Sequence, residues 1–99
     1  MHHLTIDLSD DADGVATLEA LASTQAARHP AVMAEVREIQ AWARRQFPNG
    51  PGPLDEGADW DEDLQVSEEP GGWVSVSLTL SVRPPLMPEF AAAFAQALE

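Results

Sequence analysis

Residues 60–82 read WDEDLQVSEEPGGWVSVSLTLSV, and this stretch decides the fold. In its second half, five apolar residues alternate with four hydroxyl residues from Val74 to Val82, the period-two pattern of a strand with one buried face. The first half alternates in the same way from Trp60 to Ser67, with carboxylates on its polar side. A turn sequence, Pro70-Gly71-Gly72, separates the halves, so the stretch predicts an antiparallel hairpin.

The register of this hairpin follows from the rule that directly paired residues point to the same side of a sheet. A two-residue loop would pair apolar Val66 with Ser75, which breaks the rule. A three-residue loop over residues 70–72 pairs Val66 with Val76 and offers glycine for the left-handed position that such loops need. It also pairs like with like elsewhere: Leu64 with Leu78, Trp60 with Val82, Asp63 with Thr79, Gln65 with Ser77 and Ser67 with Ser75. A five-residue loop would preserve the facing as well.

The start of the chain predicts another strand, because Leu4, Ile6 and Leu8 alternate with polar residues. The cluster SDDAD at residues 9–13 is typical of the start of a helix, where acidic and hydroxyl side chains cap the free backbone N–H groups. Helical spacing then follows at Val15, Leu18, Leu21 and Ala22, so we expect the first helix there.

A second helical stretch covers residues 32–47, and Pro30 lies between it and the first. The apolar spacing keeps its phase across Pro30, which would suit one kinked helix. Such a helix would be ~52 Å long at 1.5 Å per residue, whereas a domain of this size has a radius of gyration near ~13 Å. We therefore predict two helices, with Pro30 at the first position of the second, where proline is tolerated.

The complete pattern predicts an α+β fold for a single domain over residues 1–99. A proline- and glycine-rich loop at residues 48–53 precedes the hairpin, and a last helix starts at Pro88 with the stripe Phe90, Phe94 and Leu98. The expected architecture is a two-layer sandwich in the order β-α-α-β-β-α, with a three-stranded antiparallel sheet and helices on one face. This order corresponds to a ferredoxin-like arrangement lacking the last strand. Its first strand would lie at a sheet edge, where a homodimer could pair through it.

The composition is strongly acidic and limits the classes of partner. The chain has 17 Asp and Glu against five Arg and no Lys, for a formal charge of −12. Direct nucleic-acid binding and anionic membranes are disfavoured, because both depend on basic side chains. A basic protein partner fits this charge. The absence of cysteine excludes disulfides and thiolate chemistry, and with no secretory signal or apolar span we expect a cytoplasmic protein.

The candidate binding residues belong to the acidic segment that precedes and enters the hairpin. Residues 55–69 hold eight acidic residues and no basic one. The register puts Asp61 and Asp63 on the solvent side of the sheet, while Glu62 points toward the helices and would have to reach an edge or find an arginine. A solvated acidic surface is the alternative interpretation. Our predicted partner-binding residues are Asp59, Asp61, Asp63, Glu68, Glu69 and Trp73, the last because an exposed tryptophan is typical of interface hot spots, with packing over the turn as the alternative.

No pattern in the chain indicates catalysis, a metal site or a cofactor. Residues 9–20 fail the calcium-loop template, since Ala20 stands where a bidentate Glu is required. In the spacing Asp59-x-Asp61-x-Asp63, strand alternation points the three side chains in the same direction, and no loop would encircle a metal ion there. We therefore predict a small non-catalytic interaction or regulatory protein that docks a basic partner. The alternative is a small-molecule-binding or enzymatic domain with a pocket at a dimer interface, and a third is a structural subunit of an assembly.

Overall fold

The computed structural model describes residues 3–10, 16–83 and 86–98, which form four strands and two α-helices. In chain order these are β1 (Thr5–Asp10), β2 (Ala16–Gln25), α1 (His29–Gln46), β3 (Trp60–Glu69), β4 (Trp73–Val82) and α2 (Met87–Leu98). The strands form one antiparallel sheet in the order β1-β2-β4-β3, so β1 and β3 lie at its edges. The α+β class predicted from the sequence is confirmed.

The predicted first helix is wrong, because Ala16–Gln25 forms the central strand β2. This strand pairs with β4 along its whole length, from Ala16 opposite Val82 to Gln25 opposite Trp73. The sheet therefore has four strands instead of three, and the ferredoxin-like order β-α-α-β-β-α is replaced by β-β-α-β-β-α. Ser9 and Asp10 belong to β1, and the helix-capping role predicted for residues 11–13 lies outside the described residues.

The hairpin has the predicted three-residue loop and the predicted register. Val66 lies opposite Val76, and the pairing continues without interruption from Trp60 opposite Val82 to Glu69 opposite Trp73. Gly71 and Gly72 have φ angles of 84° and 79°, a left-handed conformation that glycine adopts without steric cost.

Helix α1 begins at His29, one residue before the predicted start at Pro30, and does not bend at the proline. Pro30 occupies its first turn, where the missing N–H removes no intrahelical hydrogen bond. The choice between a broken and a kinked helix at Pro30 therefore disappears, because β2 ends at Gln25 and only a short 3-10 turn, Ala26–Arg28, separates it from α1. Arg44 and Arg45 fall in the last turn, where cations suit the helix dipole.

Both helices cover the same face of the sheet, and the core lies between the two layers. The even-numbered residues of β4 point into it, while Trp42 of α1 packs edge-on against Phe90 and Phe94 of α2 with ring centroids 5.0 and 5.5 Å apart. Trp60 at the start of β3 is fully buried, and its Nε1 donates a hydrogen bond to the Phe47 carbonyl at 2.8 Å. The largest fully buried side chains are Trp42, Trp60, Phe90, Phe94, Leu18, Ile39, Leu78, Leu80, Val32, Val36 and Val82. Within the described ranges, neither helix is long and apolar enough to cross a membrane.

Candidate acidic sheet face

The face of the sheet turned away from the helices, here called the open face, is formed by the odd-numbered residues of all four strands. The strand registers align these residues in rows that cross the sheet. One row contains three carboxylates and one hydroxyl, in the order Asp7, Glu19, Thr79 and Asp63. The adjacent row ends at Asp61, which lies opposite Ser81. Acidic residues therefore extend from one sheet edge to the other.

Four of the six predicted binding residues lie on the open face: Asp61, Asp63, Glu69 and Trp73. Asp61 Oδ1 accepts the Glu62 backbone N–H at 2.8 Å, and Asp63 Oδ2 accepts the Gln65 side-chain N–H at 3.1 Å. Glu69 accepts a hydrogen bond from the Ser75 hydroxyl. These local contacts orient the carboxylates without neutralising them.

The other two predicted residues lie elsewhere. Glu68 pairs with buried Val74, so its side chain belongs to the helix side of β3 and does not share a face with Asp63. Asp59 precedes the strand and forms an ion pair with Arg83 at 3.3 Å. Asp59 is thus already partnered, and Glu68 stands at the hairpin edge.

Trp73 combines exposure with packing over the turn. Its side chain is 43% exposed, and it stands on the open face at the hairpin end, opposite both Gln25 and Glu69. A Cβ placed on Gly71 would lie 3.4 Å from Trp73 Cδ1, so one edge of the indole rests against the turn. The other surface of the ring is available to a partner.

Sequence reasoning missed two acidic residues of the open face, Asp7 and Glu19. They lie directly opposite each other on β1 and β2, an arrangement in which like charges repel. Asp7 was identified as a polar strand position but had no predicted neighbour, and Glu19 was assigned to a helix. The alternation of Ala16, Leu18 and Ala20 with polar residues was the signal that could have placed Glu19 on this face.

A shallow depression of about 670 Å³ lies on the open face between the carboxylate row and the Trp73 end of the sheet. Hydroxyl and amide side chains supply most of its lining, with the half-exposed Leu21 among them. Its open-face residues are Thr5, Leu21, Ser23, Gln65, Ser67, Ser75 and Ser77, and His3 lines it just before β1. The depression is open to solvent and could receive an extended chain or a long side chain across the strands.

The charges of the molecule are divided between its two layers. The strands carry eight acidic residues and no basic one, whereas the helices carry three arginines and three glutamates. Glu62 on the helix side lies on an edge strand and is paired with Arg44, which donates at 2.9 Å, so both predicted outcomes for this carboxylate are met. None of the ion pairs in the described ranges involves a carboxylate of the open face.

A separate polar contact fastens the start of the chain to α1. The Glu35 carboxylate accepts hydrogen bonds from the backbone N–H groups of His3 and Leu4 and contacts the His3 imidazole. Burial acts to raise the pKa of Glu35, but the hydrogen bonds from the His3 ring and from the two backbone groups outweigh it and lower the pKa below its usual value. Because the ionised form is favoured in the folded protein, this contact links stability to pH.

We expect Glu35→Gln to lower the free energy of unfolding by about 1–2 kcal/mol at neutral pH, because charge-assisted hydrogen bonds are replaced by weaker ones. The folded-state pKa lies below the ordinary value of 4.5, so the contribution is complete above that pH and is lost as the pH falls through the folded-state pKa. Urea unfolding of both proteins between pH 7 and pH 3 measures the difference. Glu38→Gln, at an exposed site of the same helix, is the control. A difference that stays constant with pH would contradict the assignment.

The described residues do not group three histidine or carboxylate side chains as a metal site would require. The sequence matches no protein-family model, and comparisons with curated proteins and with solved structures give no match.

Proposed function

We propose that this protein is a small non-catalytic interaction or regulatory protein whose open face docks a basic protein. One observation supports the proposal above the others: five carboxylates and no lysine or arginine lie on one face that spans all four strands. These are Asp7, Glu19, Asp61, Asp63 and Glu69. A basic surface placed against them would relieve the repulsion between Asp7 and Glu19 and gain complementary charge pairs.

Two further features suit a protein partner better than a small anionic or apolar ligand. The exposed Trp73 adds an aromatic anchor at one end of the acidic face, and tryptophan is among the residues that contribute most to interfaces. The depression beside it gives the partner side chains hydroxyl and amide groups to hydrogen-bond. The open face therefore offers charge, an anchor and polar contacts together.

The alternative is a small-molecule-binding or enzymatic domain with a pocket at a dimer interface. Edge strand β1 borders the depression through Thr5, so a homodimer through β1 would deepen it. That alternative requires self-association at micromolar concentration, which analytical ultracentrifugation measures. A monomer at that concentration favours the docking function.

We expect Asp61→Asn with Asp63→Asn to weaken partner binding about three- to tenfold at low salt, since two exposed charges each contribute a modest amount. The experiment is affinity capture from a lysate of the native host, at low and at high salt, with the unmodified protein and the double variant as bait. High salt should release the partner from the unmodified protein, because dissolved ions screen the charges and reduce the range of their attraction.

The matched control is Asp55→Asn with Glu56→Gln, which changes the total charge equally at exposed positions of the loop before β3. The proposal requires that the control retains the basic partner and the Asp61/Asp63 variant loses it. Equal recovery by all three baits would overturn the role of the open face.

A further inference from the structure

The outer edge of β3 differs from the protected edges of most sheets. Its backbone has no strand beside it within the described ranges, because the sheet ends at β3. Natural edge strands are usually short, bulged, covered, or protected by proline or charged side chains, above all lysine, so the carboxylates of β3 deter an acidic chain but not a basic one. β3 is ten residues long, pairs with β4 without a bulge, and contains neither lysine nor proline. The other edge, β1, has only six residues.

Two apolar side chains are exposed along this edge on the helix side. Leu64 is 37% and Val66 is 48% exposed, although each pairs with a buried residue of β4. The path of α1 fits this gap, since its Glu35 accepts hydrogen bonds from His3 and Leu4 just before β1, whereas its Arg44 donates to Glu62 near the start of β3. The helix thus crosses the sheet diagonally and leaves the part of β3 that follows Glu62 uncovered.

We infer that the β3 edge binds an extended segment of a basic protein, which adds to the sheet as a fifth, antiparallel strand. The inference deepens the proposed function and rests on it, because the partner is again basic. Main-chain hydrogen bonds to the free edge would supply affinity, and alternate side chains would supply specificity. An antiparallel orientation continues the existing sheet and is the slightly more stable pairing.

The charge of β3 selects this occupant over a second copy of the chain. β3 carries five acidic residues and no basic one, so pairing it with itself would place carboxylates beside carboxylates. A basic segment would pair with them instead. The edge therefore favours a partner of opposite charge.

The facing rule gives the sequence pattern of the segment. Residues opposite Leu64 and Val66 point to the helix side and should be apolar, whereas residues opposite Asp61 and Asp63 point to the open face and should be lysine or arginine. The residue opposite Glu68, at the other end of the segment, should also be lysine or arginine. Along the partner chain this pattern is basic, any, apolar, any, apolar, basic, any, basic.

The test uses the synthetic peptide KTVTVKTK, which follows this pattern, and a peptide of the same composition in the order KKTVVTTK. We expect calorimetry to show that the patterned peptide binds about tenfold more tightly than the reordered peptide. Both peptides carry the same charge, so this difference in affinity would come from the match to the β3 register. Amide hydrogen exchange should slow in β3 and stay unchanged in β1.

The decisive variants are Val66→Lys and Leu8→Lys, which are matched because both side chains are 48% exposed on the helix side of opposite edge strands. Both add the same charge. We expect Val66→Lys to weaken binding of the patterned peptide about tenfold or more and Leu8→Lys to change it less than about twofold.

Equal effects of the two lysine variants, or protection in β1 instead of β3, would overturn strand addition. Self-association of the unmodified protein that Val66→Lys abolishes would also overturn it, because the occupant would then be a second copy. If the patterned peptide fails to bind while the Asp61/Asp63 variant still loses its basic partner, only the strand addition is wrong. If that variant keeps its partner, the open-face function itself is wrong.

Discussion

Trp60→Ala is expected to lower the free energy of unfolding by about 3–5 kcal/mol, the range for removing a large buried aromatic side chain. Trp60 is fully buried, and its indole N–H donates a hydrogen bond to the Phe47 carbonyl. The substitution removes this donor and leaves the carbonyl without its partner. Its backbone carbonyl also accepts the Gly52 N–H at 3.0 Å. The residue therefore fastens the proline-rich loop to the first residue of β3.

The close approach of Gly50 strengthens this expectation. A Cβ on Gly50 would lie 2.5 Å from Trp60 Nε1, so the loop backbone rests directly on the indole and cannot fill the space of a missing ring without moving. At about 4–8 °C per kcal/mol for a domain of this size, the melting temperature should fall by at least about 12 °C. Differential scanning calorimetry measures this shift.

Trp73→Ala is the control, because it removes the same side chain from the same hairpin at a 43% exposed site. We expect it to change stability by less than about 1 kcal/mol. Similar losses in the two variants would contradict the placement of Trp60 in the core and Trp73 on the open face.

Phe90→Ala should also cost about 3–5 kcal/mol, since Phe90 is fully buried between the two helices. Its ring centroid lies 5.0 Å from Trp42, edge-on, and 5.0 Å from Phe47, stacked, and such pairs add about 0.5–1.5 kcal/mol to the burial itself. Helix α2 has only 12 residues, a length at which isolated helices are marginal in water. Its helical state therefore depends on these contacts.

Urea unfolding followed by far-ultraviolet circular dichroism tests this dependence. We expect Phe90→Ala to lose helical signal before the main transition, because α2 separates from α1 while the sheet persists. Gln96→Ala, at an exposed site of the same helix, should leave the curve almost unchanged. A single unchanged transition in Phe90→Ala would show that α2 does not rely on the aromatic cluster.

Much of the fold was predictable because strong local patterns agreed with the tertiary structure. The hairpin register followed from facing alone, and the start of α1 followed from Pro30. For Glu62 the sequence predicted a sheet edge or an arginine, because a carboxylate among apolar side chains needs water or a partner, but it did not decide between them.

β2 was not predictable by the same reasoning because its residues satisfy two patterns. Leu18, Leu21 and Ala22 match a helix, and alanine has the highest helix propensity. The strand pattern is carried by small alanines, and Leu21 interrupts it by lying on the open face. Pairing with β4 over ten residues decided the outcome, and a long-range contact of that kind leaves no local signal in the sequence.

That error hid two of the five carboxylates of the open face. Asp61, Asp63 and Glu69 could be placed from the hairpin, whereas Asp7 and Glu19 joined them only through β2. The uncovered edge of β3 was equally hidden, because it depends on the diagonal path of α1. Sequence patterns predicted which residues alternate, but not which neighbours cover them.

The division of charge between the layers has a kinetic consequence. With eight acidic residues in the strands and balanced charges in the helices, the molecule has an electric dipole moment directed across the sheet. In the field of a basic protein it would rotate before contact, so that most encounters begin with the sheet toward the partner. Added salt should therefore act chiefly on the association rate constant and leave the lifetime of the formed complex nearly unchanged.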